Sequence, residues 1–184
     1  AVLDDVLLAF VAAFAGFLDQ IVKANLRQNF RSSLQNLVAV TAVSIDGDAH
    51  AQLQRPQDQT SPAFLKINET LTRVYRAGQG YEPPYTMRMD ADGSIRFIVD
   101  ATDDPVPLGD IYADPGPVLL ANLQTISGPL VEDDFYTDEW GTWRSGYAPF
   151  YRSDGTLEGI VGVDIAADTI MAQEQQLLWV SLTI

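Results

Sequence analysis

An α+β fold is predicted for this chain of 184 residues by three patterns and by their order. The first is a long N-terminal stretch, Asp4 to Ser44, with no proline and a single glycine, Gly16. The second is two pairs of strand-like runs, each joined by a short turn containing Asp-Gly. The third is the position of the remaining helical segments, which flank these pairs instead of alternating with single strands. Local antiparallel hairpins with helices segregated mainly to one side give α+β, not a doubly wound parallel sheet. A composition that is 47% apolar is enough for a proper core in one domain of this size.

Taken in order, the first stretch carries Leu26, Phe30, Leu34, Leu37 and Thr41 at the three- and four-residue spacing of a single helical stripe. A helix this long exceeds the usual 10–14 residues or so, and is expected to reach beyond the globular body toward a membrane or a second subunit. Asp46-Gly47-Asp48 stops it. A second helix is expected over Pro62–Ala77, where Ser61 offers an N-cap, Pro62 suits the first position, and Phe64, Ile67, Leu71, Val74 and Tyr75 form the buried side. Gly78 and Gly80 end it. Strands follow at Tyr85–Asp90 and Ser94–Asp100 around Ala91-Asp92-Gly93. Asp103–Pro117, rich in Asp, Pro and Gly, is expected to be loop, Val118–Ile126 a short helix, and Asp133–Glu139 an acidic loop. The closing hairpin is expected over Gly141–Tyr151 and Leu157–Ala166, turning at Ser153-Asp154-Gly155, where glycine tolerates positive φ. From Asp168 the chain is helical again. The domain organisation expected is a long helix over 1–45, a globular core over 46–167 and a C-terminal helix over 168–184.

Charge and composition exclude several classes of function. A formal charge of −14 with only two lysines, Lys23 and Lys66, opposes binding to the phosphate backbone of nucleic acids. The absence of cysteine removes disulfides, thiolate catalysis and the common zinc clusters. No cofactor or metal site is expected. Val6–Leu18 is an uncharged, mostly apolar run between Asp5 and Asp19, shorter than the roughly 18 residues of a full membrane span. It suits either a buried or amphipathic helix start or the outer end of a membrane anchor. No basic stretch precedes it, so a cleavable signal peptide is not expected. Leu177–Ile184 turns apolar as a second membrane helix would. An acidic domain between two apolar ends fits a loop on the outer side of a membrane.

The run Trp140–Ile165, with WGTWRSGYAPF and GIVGVDI as its two halves, resembles the closing hairpin of the Cache family of extracytoplasmic sensor domains, also called PDC or periplasmic PAS-like domains. The resemblance extends to Asp46–His50 after the long helix, to Pro84–Arg88, to Phe97–Asp100 and to Leu108–Tyr112. It implies a PAS-like central antiparallel sheet, the long helix packed on one face and a ligand pocket on the other. It also implies an extracytoplasmic, periplasmic location in an inner-membrane receptor, such as a histidine kinase, a diguanylate or adenylate cyclase, or a chemoreceptor. Tyr136–Trp140 contains no arginine where the amino-acid-binding branch has Arg-x-Trp, so that mode of recognition does not carry over. Asp164 matches the acidic position of the family's final strand.

Alternation along the strands sorts the sheet into two faces. Tyr85, Met87, Met89, Ile95, Phe97, Val99, Val161, Val163 and Ile165 are expected beneath the long helix. Thr86, Arg88, Arg96, Ile98, Asp100, Arg144, Gly146, Gly162 and Asp164 are expected on the pocket side. From these, Arg88, Asp100, Arg144 and Asp164 are the candidate ligand-binding residues, with Tyr112 closing over them from a loop. A carboxylate beside guanidinium groups orients a small zwitterion or organic acid. Internal ion pairs or a solvated sheet face are the other reading of the same residues. Trp140, Trp143 and Tyr147 suit either stacking on a ligand ring or packing. His50 with Asp46 and Asp48 suits either a metal or pH-sensing site or a helix-cap turn. The acidic groups around Asp100–Asp104 and Asp133–Glu139 suit either calcium or solvated loops.

The functional expectation is a ligand-sensing domain without enzymatic activity of its own, binding a small molecule, pairing as a homodimer through the long helix and signalling through its terminal helices. Two alternatives are a structural dimerisation module and a carboxylate-dependent hydrolase, since no Gly-x-Ser-x-Gly elbow or phosphate loop is present.

Overall fold

Residues 2–78 and 80–182 are described by the structure, a computed structural model. The N-terminal stretch forms one helix, α1, over Val2–Ser44. Only its last third has a globular body to pack on: Leu34, Val38, Thr41 and Ala42 are buried, continued by Ile45 after the helix. Before that, residues 5–25 are exposed except Asp19 and Lys23, which pair at 2.9 Å one helical turn apart. That pair carries the apolar surface past Asp19, where the sequence had set its limit, through Ile21 and Val22. Among the described residues α1 is the one helix long and apolar enough to cross a membrane. The apolar run Leu177–Ile184 has side chains outside the described residues.

After α1 come a short helix, α2 (Gly47–His50), a 3-10 turn at Pro56–Thr60, and α3 (Pro62–Ala77). The Ser61 hydroxyl accepts the Phe64 N–H at 3.2 Å, and Phe64, Ile67 and Leu71 are buried. The sheet then builds as β1 (Tyr85–Met89), β2 (Ile95–Asp100), β3 (Leu130–Val131), β4 (Tyr136–Thr137), β5 (Thr142–Tyr151) and β6 (Leu157–Ala166). All pairings are antiparallel, in the order β2-β1-β6-β5-β3 with β4 also on β5. The fold is therefore α+β, as the sequence predicts. Between β2 and β3 lies α4 (Pro117–Asn122), shorter than expected, and α5 (Ala167–Leu182) follows β6 without a gap. Strand β4 falls where the sequence predicts loop and β3 in a stretch it leaves unassigned, each being only two residues long and showing no alternation.

Both faces of the sheet are covered, each with its own apolar cluster. Beneath α1 and α3, Val161, Val163 and Ile165 of β6 pack with Leu34, Val38, Phe64 and Ile67. On the other face Tyr85, Met87, Ile95, Phe97 and Tyr147 pack with Tyr112 and with Leu119 of α4.

One strongly polar cluster is sealed on the α1 side, under α2. Glu158 at the start of β6 and His50 at the end of α2 are buried, with Glu158 Oε1 2.9 Å from His50 Nδ1. Arg88 donates to Glu158 Oε1 through Nε at 2.9 Å, and Arg152 to Oε2 at 2.5 Å. Arg88 also donates to the carbonyls of His50 and Leu53, binding α2 and its following turn to the sheet. A carboxylate only accepts, so the His50 proton sits on Nδ1 and Nε2 accepts from the Thr86 hydroxyl at 3.0 Å. Burial lowers the His50 pKa, against the pull of Glu158, and keeps the ring neutral. Burial raises the Glu158 carboxyl, but the His50 hydrogen bond and the charges of Arg88 and Arg152 outweigh it and hold the carboxyl at about 2. His50 therefore serves packing, and it does not converge with Asp46, which caps Ala49, or Asp48, which accepts from Ser153.

Since the folded pKa of Glu158 lies below its ordinary 4.5, its stabilisation is present above pH 4.5 and is lost as pH falls through about 2. Glu158→Gln leaves two guanidinium groups without their counter-charge and is expected to cost about 3–5 kcal/mol in urea unfolding at pH 7. The deficit relative to the parent should shrink in acid. A deficit under about 1 kcal/mol at pH 7 would show that the cluster contributes little.

Candidate functional site

On the face opposite α1 the sheet is roofed by the loops after β2 and around β4, and between floor and roof lies a cavity of about 280 Å³. Its floor is laid by β1, β2 and β6. Tyr85 lies across Gly162, where a Cβ would come within 2.5 Å of the ring, so only glycine lets this aromatic rest on the neighbouring strand. From there the Tyr85 hydroxyl donates to Asp164 Oδ1 at 3.2 Å. The antiparallel register places Asp164 opposite Ser145, and the Gly162–Asp164 side of β6 faces the cavity while Val161, Val163 and Ile165 face α1.

A β-bulge decides the contribution of β2. Thr86 pairs with Val99 but Met87 pairs with Phe97, which leaves Ile98 as the extra residue. Ile98 and Val99 both pack in the α1-side core, so Phe97 and Asp100 both reach the cavity although three positions apart. Asp100 then organises the wall, accepting from the N–H groups of Thr102 at 3.0 Å and Val106 at 2.8 Å. Asp138 does the same for the roof. It accepts from the N–H of Trp140 at 3.0 Å, from Trp143 Nε1 at 2.8 Å and from the Tyr112 hydroxyl at 3.1 Å.

The hydroxyls behind Asp164 form an ordered chain. Because Asp138 only accepts, Tyr112 donates to it, Tyr136 donates to Tyr112 at 2.9 Å, and Tyr147 donates to Tyr136 at 3.0 Å. The Ser145 hydroxyl stands 2.9 Å from Tyr136. Burial raises the pKa of every phenol in this group, that of Tyr136 to about 12, so all remain donors at neutral pH. Burial also raises the Asp164 carboxyl to about 7; hydrogen bonds with Ser145 and Tyr85 pull it down, and the charges of Asp138 and Glu82 add to the rise.

The structure brings five of the sequence-predicted residues to this cavity: Asp100, Tyr112, Trp140, Trp143 and Asp164. Tyr147 is fully buried behind it in the hydroxyl chain. Arg88 and Arg144 are corrections. Arg88 lies on the α1 side in the Glu158 cluster, because β1 shows Tyr85 and Met87, not its even-numbered residues, to the cavity side. Arg144 points away from Trp143 and Ser145, and donates to the carbonyls of Glu132 and Asp133. Gly146 likewise lies under Leu34 and Val38 of α1. Arg96 pairs with Asp90 and donates to the Gly109 carbonyl at 2.8 Å. Sequence reasoning missed Glu82, placed Tyr85 and Phe97 beneath the long helix where the structure has them on the cavity side, and weighed Asp138 only as part of an acidic loop. Asp138 carried one usable signal, its place two residues before Trp140 in an Asx-type turn. Asp133 pairs with Arg31 of α1 at 2.6 Å, and among the described residues no three acidic or histidine side chains are grouped to hold a metal ion.

No protein-family model matches the chain, and no curated protein matches its sequence. Solved structures do match. The ligand-binding domain of the Campylobacter jejuni chemoreceptor Tlp3, in complex with 4-methylisoleucine, superposes with a TM-score of 0.54 at 17% identity, over 81% of this chain and 56% of that one. The E. coli DcuS sensor domain superposes with a TM-score of 0.53 at 14% identity, over 79% of this chain and 97% of that one. This chain therefore shares its fold with these two domains, the α+β arrangement that the sequence predicts. A second Tlp3 complex, with L-norvaline, gives 0.50 at 16% identity, and the chain spans 56% and 57% of the two Tlp3 structures. At these identities the likeness concerns the backbone, and the chemistry of the cavity rests on this chain's own side chains.

A carboxyl whose folded pKa is raised above 3.8 makes the protein less stable as pH rises from 3.8 to about 7, after which the loss is constant. Asp164→Asn removes that loss. It is expected to be more stable than the parent at pH 8, by about 1–3 kcal/mol, and nearly equal to it at pH 4. Denaturant unfolding at the two pH values measures the difference, and a gap that does not change with pH would contradict the assignment.

Proposed function

We propose that this chain is the extracytoplasmic ligand-sensing part of a membrane receptor, which binds a small molecule in the cavity over β1, β2 and β6 and transmits occupancy through α1 and α5. The observation that carries this reading is Asp164, a cavity carboxyl on the strand that continues without a loop into α5 at Ala167. Its backbone carbonyl accepts the Glu82 N–H at 2.8 Å, so the entry to β1 is fixed to the same point. A ligand that prefers one arrangement of this floor shifts α5 by the difference in its affinity for the two arrangements.

Further support comes from the neighbours in structure, which are ligand-binding and sensor domains: Tlp3 is a chemoreceptor with bound amino acids, and DcuS is described as a sensor domain. The exposed apolar length of α1 supports a membrane-anchored start to the chain with the sheet domain on the outer, periplasmic side. Val40 and Val43, on the outer side of the packed part of α1, support pairing of two copies along that helix. The output domain of such a receptor is a kinase, a nucleotide cyclase or a chemotaxis module.

Insertion of Gly-Gly-Ser between Ala166 and Ala167 tests the route. Ligand affinity, read by calorimetry on the sensor domain, is expected to change less than about threefold, while ligand-dependent output of the full receptor is lost. Output that survives the insertion would rule out β6–α5 as the connection.

A further inference from the structure

The cavity contains acid and aromatic rings and no base. Glu82, Asp100, Asp104, Asp138 and Asp164 line it together with Tyr85, Phe97, Tyr112, Trp140 and Trp143, and no lysine, arginine or histidine is among the lining residues. The two arginines that the sequence suggested for it are held elsewhere, Arg88 by Glu158 and Arg144 by backbone carbonyls. A carboxylate or phosphate entering here would meet like charge on several sides and no counter-ion among the lining residues. A cation would meet the reverse.

The carboxylates divide by role. Asp100 and Asp138 hold the loops through backbone and indole N–H groups, whereas Glu82 and Asp104 accept from no side chain among the described residues. Asp164 accepts from one phenol. The rings are gathered as well: Phe97 stands 5.0 Å from Tyr112 and 5.5 Å from Trp140, centroid to centroid, the latter edge to face. Such a wall offers both apolar area and the negative ring faces that attract an ammonium group.

We propose that the ligand is a small organic cation, an amine or quaternary ammonium group on an apolar body, with the charge met by Asp164, Glu82 and Asp104 and the body by the Phe97, Tyr112 and Trp140 rings. This inference rests on the sensing role proposed above and names its ligand class. The chain's charge of −14 adds a general attraction for cations at the cavity mouth. Asp164 faces Tyr85 from β1, Ser145 and Tyr147 from β5, Tyr136 from β4, Tyr112 and Asp138 from the roof, and Glu82 before β1. Every one of these is neutral or negative, so an entering cation favours the ionised form of Asp164 and binding strengthens as pH rises through about 7.

The test is calorimetric titration with matched probes: choline and phenethylamine as cations, 3,3-dimethylbutan-1-ol as the neutral isostere of choline, glycine betaine as the zwitterion, and succinate and L-norvaline as the carboxylate and amino-acid controls. The panel is extended to primary, polyvalent and quaternary amines and to an equal number of organic acids. The expected result is that cations bind at least tenfold more tightly than the neutral isostere and the acids, and more tightly at pH 8 than at pH 5.5. Asp164→Asn and, separately, Trp140→Ala should each weaken cation binding at least tenfold. Trp140 is half-exposed, so its variant should fold if the other does not. Binding confined to organic acids or zwitterions, and lost in Asp164→Asn, would overturn the cation assignment while leaving the sensing role in place. No binding from either half of the panel would overturn both.

Discussion

The ten-residue antiparallel ladder between β5 and β6 is the constraint on which the other features depend. It runs through the middle of the sheet with both faces covered, so its two-residue period commits each side chain to one of two interiors. Val161, Val163 and Ile165 become the bed for α1 and α3, and Gly162 and Asp164 become the floor of the cavity. A slip by one residue would put Asp164 beneath the helix and Val163 in the cavity, exchanging the two interiors together. The same ladder ends at α5, so the site and the outgoing helix share one continuous backbone.

The sheet also separates charges by sign. On the α1 side, guanidinium groups are consumed by Glu158 and by backbone carbonyls, where they pin α2 and the turn at Glu132–Asp133. On the other side the cavity is lined by carboxyls, hydroxyls, rings and aliphatic groups, with no basic side chain among the lining residues. This segregation gives the cavity an electrostatic character that the overall composition does not: Arg88 and Arg144 are engaged on the opposite side of the sheet, by Glu158 and by backbone carbonyls. It also explains why a cavity in a shared fold can differ in ligand chemistry from its structural neighbours. Backbone likeness at 14–17% identity concerns the fold, and in this chain the parity of a few strands fixes what lines the cavity.

Legibility in the sequence follows from the range of the interactions. Helix α3 was legible because Ser61, Pro62 and the apolar spacing all act within a turn or two. The hairpin β5–β6 was legible because Asp154-Gly155 closes it locally, with Gly155 at φ 83°. The parity of β6 was readable because Val-x-Val-x-Ile leaves one face obviously apolar. In β1 the same logic failed, since Tyr85 and Met87 are apolar and yet belong to the cavity-side cluster, while Thr86 and Arg88 are polar and yet buried by His50 and Glu158. With two covered faces, polarity no longer tells inside from outside.

The sequence by itself determined the α+β class, the long first helix, the two hairpins and the placement of Asp164, because each depends on local spacing, turn residues and alternation. Only the tertiary structure decided which of the other residues join it. The bulge at Ile98 brings Asp100 and Phe97 to one side, Gly162 admits Tyr85, and the capture of Arg88 by Glu158 removes its charge from the cavity. These are contacts between residues up to 79 positions apart, as in Tyr85 with Asp164, and no local pattern records which distant partner a side chain will find.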